Sequence, residues 1–409
     1  MTSRRHFIGQ TAAVAGSTAL LGAPAILRAQ ALPDKIRIGY SSSKTGPNAG
    51  GVATQITPNY TMWVKDVNAA GGISVKGKKL PIEVVEYDDR SSSEEAVRAY
   101  ERLATQDKVD FVLAPWSTGI NLAVAPTLNK YNFPHLAVAA ITDMAPQLVK
   151  RWGNAFFCLG GGSMYGEALI DILDAQRKSG LIGSNIAMVN IADGFGVDLS
   201  GGARKAIAKH GFKLVYDKSY PVGTQDMSPL INEAKTLSPD AFVAFSYPPD
   251  TIAITEQARV SAFNPKVFFV GVGTAFPLFK KRFGANIDGV MGTGGVHADS
   301  ALFQSYFKKH VEMTGQEPDR WANPVMYATL QILQQSIERA GTLDRAAVIE
   351  QIKKGSFETV NGTMKFTDQQ WNDLWLVGQW QNGEFHGVAP GSKTGAKKVL
   401  LPKPAWKAA

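Results

Sequence analysis

Short apolar runs alternate with longer segments of helical periodicity along nearly the whole chain. Candidate strands are Ile36–Tyr40, Ile82–Tyr87, Phe111–Ala114, His135–Ala139, Asn185–Ile191, Lys213–Tyr216, Ala241–Phe245 and Val267–Gly271. They are rich in Val, Ile and Phe without strict alternation, which suits strands covered on both faces of a parallel sheet. Between them the spacing predicts helices. Over Glu94–Thr105, the residues Val97, Tyr100 and Ala104 make one apolar stripe; over Pro324–Ala340, the residues Met326, Leu330, Leu333 and Ile337 make another. Strand and helix in turn is the pattern of an α/β fold. One such run occupies roughly residues 34–150 and a second begins near Gly166 and reaches Gly273, a coarse duplication that predicts two doubly wound lobes. Lobes of this kind, side by side, leave a cleft at the carboxyl ends of their strands, where open α/β sheets bind ligands.

The first thirty-one residues break the pattern. Ser3-Arg4-Arg5-His6-Phe7-Ile8-Gly9 is a twin-arginine pattern, an uncharged stretch follows from Thr11 to Leu27, and Ala29-Gln30-Ala31 is a small-residue cleavage triplet. With no acid before Asp34, residues 1–31 are expected to be an export signal rather than an amphipathic helix of the fold. Gly16, Gly22, Pro24 and the shortness of the run argue against a retained membrane anchor. The mature protein is therefore expected in the periplasm. That compartment permits disulfides, but Cys158 is the one cysteine in the sequence, so stability must come from burial. With 44% hydrophobic residues over 409 positions there is ample core, and a single core stops growing at about 250–300 residues, so two lobes are the default. The formal net charge of +8 is mild and falls by three when Arg4, Arg5 and Arg28 leave. Lys393, Lys397, Lys398, Lys403 and Lys407, interleaved with Gly and Pro, read as a solvated end, so nucleic-acid binding is not expected.

Catalytic patterns are nearly absent. His135, His210, His297, His310 and His386 lack metal-ligand spacing, so no metal is expected. Cys158, in the apolar run Ala155–Leu159, reads as a buried structural thiol. Gly161-Gly162-Ser163-Met164-Tyr165 starts like a nucleophile elbow but carries Tyr where the closing glycine belongs. Gly271-Val272-Gly273 lacks the third glycine of a dinucleotide fingerprint, and there is no phosphate-loop motif. The expectation is binding without turnover and without a cofactor; an exported α/β hydrolase and a ligand-sensing receptor domain are the alternatives from other classes.

Three strand-to-helix turns stand out for their small and hydroxyl residues: Ser41-Ser42-Ser43-Lys44-Thr45-Gly46-Pro47, Pro115-Trp116-Ser117-Thr118-Gly119 and Ala139-Ala140-Ile141-Thr142-Asp143. Where such a turn opens a helix, unpaired amides and the dipole favour an anion by about 0.3–2 kcal/mol, and charge-assisted hydrogen bonds add roughly 1.5–3 kcal/mol each. A carboxylate is the natural guest. Each turn taken singly also reads as plain helix capping.

The order Thr45-Gly46-Pro47, Asn68-Ala69-Ala70-Gly71-Gly72-Ile73, Glu86-Tyr87-Asp88-Asp89, then the Trp116–Gly119 and Ala139–Thr142 turns, resembles the periplasmic solute-binding proteins of branched-chain amino acid and amide ABC transporters. The resemblance covers essentially the whole mature chain. It implies the type I periplasmic binding protein fold, in which two α/β lobes joined by three crossovers close on a small ligand and deliver it to a membrane permease, the binding protein acting as a monomer. Crossovers are expected near Cys158–Gly161, Gly292–Gly295 and Gly362–Lys365, which gives residues 32–158 and 295–362 to one lobe and 159–294 and 363–409 to the other. The implied ligand site comprises Ser43, Trp116, Ser117, Thr118, Ala139, Ala140, Thr142, Phe195, Tyr247 and Gly273. Within it the family places a carboxylate on the hydroxyl and amide at Thr118. It takes further polar groups from Ala140 and Thr142, and aromatic closure from Phe195 and Tyr247.

One departure from the family is informative. Amino-acid binders of this type usually carry an acid, for the ligand ammonium, on the turn that here reads Gly271-Val272-Gly273-Thr274-Ala275-Phe276. Enclosing an ammonium without its partner costs roughly 3–5 kcal/mol, and about 1.4 kcal/mol is tenfold in affinity. Asp193, Asp250 or Asp143 would have to reach the cleft to replace it. Trp116, Phe195, Tyr247 and Phe276 would line the cavity with rings suited to a flat apolar body. The expected ligand is an aromatic acid such as a benzoate or cinnamate derivative, with a branched-chain or other hydrophobic amino acid or amide as the runner-up.

Overall fold

The structure, a computed structural model, describes residues 32–407, so the export signal expected over residues 1–31 lies outside the described residues. The first run forms a parallel sheet in the order Ile82–Asp88, Ile36–Ser42, Phe111–Val112, followed in the chain by a separate parallel pair, His135–Ala137 with Ala155–Phe157. The second forms a seven-stranded sheet in the order Glu384–Ala389, Val377–Gln381, Met291–Thr293, Val267–Val270, Ala241–Phe245, Asn185–Ile191, Lys213–Tyr220. Its last five strands in that order are parallel, and the Val377–Ala389 hairpin adds antiparallel to one edge. Ala241–Phe245 and Val267–Val270 are buried at every position, the state their unbroken apolar runs imply. Helices Ala301–Thr314 and Ala322–Ala340 pack on helix Thr57–Ala69 of the first half, after which the chain returns to the seven-stranded sheet.

Several expectations need adjustment; the strands expected over Phe111–Ala114 and His135–Ala139 each end two residues early, at Val112 and Ala137. Helix Ser93–Thr105 buries Ala96, Ala99, Tyr100 and Leu103, while Val97 and Ala104 sit partly buried on the shoulder of that core. The stripe is centred one position away from the expected one because Leu103, three residues from Tyr100, is the larger apolar side chain on that face. Strand Lys213–Tyr220 runs four residues past Tyr216. It is an edge strand paired only with Asn185–Ile191, and the exposed Asp217, Lys218 and Ser219 in its second half leave no apolar run to read. In helix Ala322–Ala340, the residues Met326, Leu330, Leu333 and Ile337 are all buried.

Candidate ligand-binding site

Strand Phe111–Val112 leads into Pro115-Trp116-Ser117, and helix Thr118–Lys130 starts there. Ser117 holds φ at +78°, a conformation a side-chain-bearing residue adopts only under constraint, while its hydroxyl accepts from the Ile120 amide at 3.2 Å. Thr118 is thus the first helical residue, where backbone N–H groups have no partner within the helix. The Thr118 hydroxyl accepts from the Ile141 amide at 3.1 Å, which joins this turn to the Ala139–Thr142 turn as one ledge.

Trp116 is held from three sides. Its indole N–H donates to Gln55 Oε1 at 2.7 Å, and the Gln55 amide donates in turn to the buried Asp319 carboxylate. Burial raises the Asp319 carboxyl above its usual range, opposed by the Asn323 amide and Gln55. Gly51 completes the seat, because a Cβ there would lie 2.3 Å from the Trp116 ring. On the second lobe, Tyr247 opens helix Pro248–Val260 and stacks on Phe195 at 5.0 Å between centroids, with Trp116 at 5.3 Å on a tilted plane. The Tyr247 hydroxyl donates to Asp193 Oδ2 at 2.8 Å, and Asp193 Oδ1 accepts the Gly196 amide at 3.0 Å as the cap of helix Gly194–His210. Burial and the Asp193 charge both oppose ionisation of Tyr247, while the neighbouring Thr118 hydroxyl and amide work the other way. Burial likewise lifts the Asp193 carboxyl, and lifts that of Asp250 to about 6.

These groups surround a central cavity. Trp116, Ser117, Thr118, Ala139, Phe195 and Tyr247 line it, together with Gln55, Ile141, Leu159, Val272, Trp321, Ala322 and Met326. The rings leave about 20 Å³ for solvent, room for a water or two. No Asp, Glu, His, Lys or Arg is among the lining residues.

Ser43, Ala140, Thr142 and Gly273 lie outside the lining. Ser43 donates to Asp89 at 2.6 Å in the buried base of its turn, and Ala140 is fully buried. Gly273 turns the chain at φ +103° against Pro248. Thr142 donates to Asp198 Oδ2 at 3.0 Å, and the Asp143 amide donates to the same oxygen at 2.9 Å, so that this pair bridges to the helix of the opposite lobe. Phe276 is buried as the residue preceding helix Pro277–Phe283, also outside the lining. Of the three acids named as replacement partners for an ammonium, Asp143 binds the Ser163 amide and hydroxyl, Asp250 binds the Tyr220 hydroxyl, and Asp193 binds Tyr247.

Sequence reasoning missed Gln55 and Trp321. Gln55 lies in a π-helical stretch, Val52–Ile56, which no simple apolar period marks. Trp321 precedes helix Ala322–Ala340 and packs on Gly294, whose φ of +82° and whose contact, 1.8 Å from a built Cβ to the indole, both require glycine. Elsewhere, burial pushes the Cys158 thiol up and His135 down to about 4. Among the described residues no group of three or more His, Cys, Asp and Glu is arranged to hold a metal ion.

The sequence profile of the periplasmic binding proteins matches residues 35–384. The chain belongs to the periplasmic binding protein family. An amino acid binding protein of Pseudomonas aeruginosa is 25% identical over 377 residues, covering 88% of this chain and 94% of the relative. The fold is that of the branched-chain amino acid transporter substrate binding protein LivJ of Streptococcus pneumoniae, solved with isoleucine (TM-score 0.74, 21% identity, 90% of this chain and 100% of that one). It is equally that of an ABC transporter solute binding protein of R. palustris, solved with benzoate (TM-score 0.75, 17% identity, 90% and 99% covered). This chain thus has the type I fold, with its place in the periplasm implied by the family, and it is a binding protein rather than an enzyme.

Proposed function

We infer that this protein captures an aromatic acid, such as a benzoate or cinnamate derivative, between its lobes and hands it as a monomer to its permease. The observation that carries the reading is a cavity lined by three stacked or tilted rings, Trp116, Tyr247 and Phe195, with no ionised side chain in its lining. A carboxylate would be met by the Thr118 and Gly119 amides, which have no partner within helix Thr118–Lys130, and by the Ser117 and Thr118 hydroxyls. The Tyr247 hydroxyl already lies beside Thr118, where an oxygen of the guest would go. The guest's ring would lie among the aromatic side chains, each such pair being worth about 0.5–1.5 kcal/mol beyond area burial. An α-ammonium would lose its water without gaining a counter-charge, at a cost of roughly 3–5 kcal/mol, more than a hundredfold in affinity.

The cavity as it stands holds a water or two, so entry requires the lobes to part, and only contacts made in the closed form favour closure around the guest. A hydrophobic amino acid is the second reading, favoured by Asp193, which stands one hydroxyl away from the cavity. Melting temperature followed against benzoate, cinnamate, leucine and isoleucine tests the choice: stabilisation by the two acids supports it, and stabilisation by the amino acids alone overturns it. Residues 1–31 carry the chain out by the twin-arginine route on this reading. Replacing Arg4 and Arg5 by lysine should then leave precursor in the cytoplasm, and processed periplasmic protein from that variant would refute the route.

A further inference from the structure

The reading above gives the cavity no partner for an amine, yet a carboxylate stands directly behind its wall. Tyr247 lines the cavity, while Asp193, bonded to its hydroxyl, does not. We propose that Tyr247 determines specificity by masking Asp193: its hydroxyl proton is committed to the carboxylate, and this closes off a counter-charge that would otherwise hold an α-amino group.

Both Asp193 oxygens are engaged, Oδ2 by the Tyr247 hydroxyl at 2.8 Å and Oδ1 by the Gly196 amide at 3.0 Å. A phenol has one proton, so once it is donated to Asp193 the Tyr247 oxygen offers the cavity lone pairs alone. An ammonium meeting that oxygen makes a bond to a neutral acceptor, weaker than one to a carboxylate. Tyr247 is kept from turning aside by Phe195, stacked at 5.0 Å, and by Trp116, itself anchored through Gln55 to Asp319. Its backbone amide points at Asp250 Oδ2, which fixes the start of helix Pro248–Val260. Tyr247 and Asp193 follow neighbouring strands of the same seven-stranded sheet, Ala241–Phe245 and Asn185–Ile191. The mask therefore travels as a unit when the lobes separate, whereas the approach of Tyr247 to Thr118 of the other lobe is lost. A ligand entering the open form meets a covered carboxylate.

The test compares 3-phenylpropanoate with L-phenylalanine, which differ by the α-amino group alone, in calorimetric titrations of the full mature chain. Tyr247→Phe removes one hydroxyl and keeps the ring. It should shift the affinity ratio toward L-phenylalanine by tenfold or more, and Asp193→Asn in the same chain should cancel the shift, because asparagine also caps helices well. An unchanged ratio in a Tyr247→Phe variant of normal melting temperature would overturn the proposal. So would a wild-type protein whose amino-acid affinity falls with Asp193→Asn alone, since Asp193 would then already serve the amine. The wild-type ratio tests the ligand class and its change on removing the hydroxyl tests the mask, so the two fail separately. A measurement without ligand stands beside them: the melting shifts of Tyr247→Phe, Asp193→Asn and the double variant should be non-additive, and additive shifts would mean that no masking bond exists.

Discussion

Asp198→Ala removes one of the contacts that join the two lobes. One carboxylate oxygen of Asp198, on helix Gly194–His210, accepts from the Thr142 hydroxyl at 3.0 Å and from the Asp143 amide at 2.9 Å, both on the opposite ledge. Hydrogen bonds to a charged group contribute roughly 1.5–3 kcal/mol each. Asp198 is partly exposed, so water recovers part of the loss, as it does for surface ion pairs, and a net of about 2–3 kcal/mol is expected from the two together. The contacts exist only while the lobes are closed, so the loss falls on the closed form and moves the open–closed balance roughly thirty- to a hundred-and-fiftyfold toward open. Small-angle scattering of the unliganded variant should then give a larger radius of gyration than the wild type. Ligand affinity should drop by a comparable factor, because part of the binding energy goes into closure. An unchanged radius together with unchanged affinity would refute the latch, and would leave the Thr142 hydroxyl without the role that its distance to Asp198 indicates.

On the proposed reading Thr118→Val removes the hydroxyl that would meet the carboxylate, so affinity for the acid ligand should fall about ten- to a hundredfold in calorimetry; the Ile141 amide also loses its acceptor, so the melting temperature should fall as well. Asp250 has its carboxyl raised to about 6 by burial, with Asp193 acting in the same direction. A carboxyl whose folded value lies above its unfolded one takes up its proton first in the folded state, so it favours folding as the pH falls from 7 through 6 toward 4. Asp250→Asn should remove about 1–2 kcal/mol of that gain, read as a melting temperature that falls further, or rises less, between pH 7 and pH 4 than the wild type's. Gly294→Ala forces a Cβ against the Trp321 indole at a φ of +82° and should cost about 2–4 kcal/mol of stability by chemical denaturation, with an unchanged midpoint refuting the packing argument.

The sheets were legible because buried parallel strands are unbroken apolar runs, as in Ala241–Phe245 and Val267–Val270. The Val377–Ala389 hairpin escaped because its strands contain Gly378, Gln379, Gln381 and His386 and present no such run. Its signal was the turn: Asn382 and Gly383 both have positive φ, the conformation that Asn-Gly supplies in two-residue hairpins. The site divided in the same way. Trp116 to Thr118 and Ala139 follow strands whose turns concentrate hydroxyl and small residues, a local pattern that can be read along the chain. Leu159, Trp321 and Met326 come to the cavity from segments far from those turns, through packing that no short window encodes. Thr142 shows the limit of analogy, since its hydroxyl reaches across to Asp198 rather than into the cavity.

Side-by-side calorimetry of the wild-type protein with 3-phenylpropanoate and L-phenylalanine tests whether the ledge at Thr118 holds an acid group in a ring-lined cavity that offers nothing to an amine. The acid should bind more than a hundredfold tighter, from the roughly 3–5 kcal/mol cost of an unpaired ammonium. Equal or tighter binding of the amino acid would contradict it.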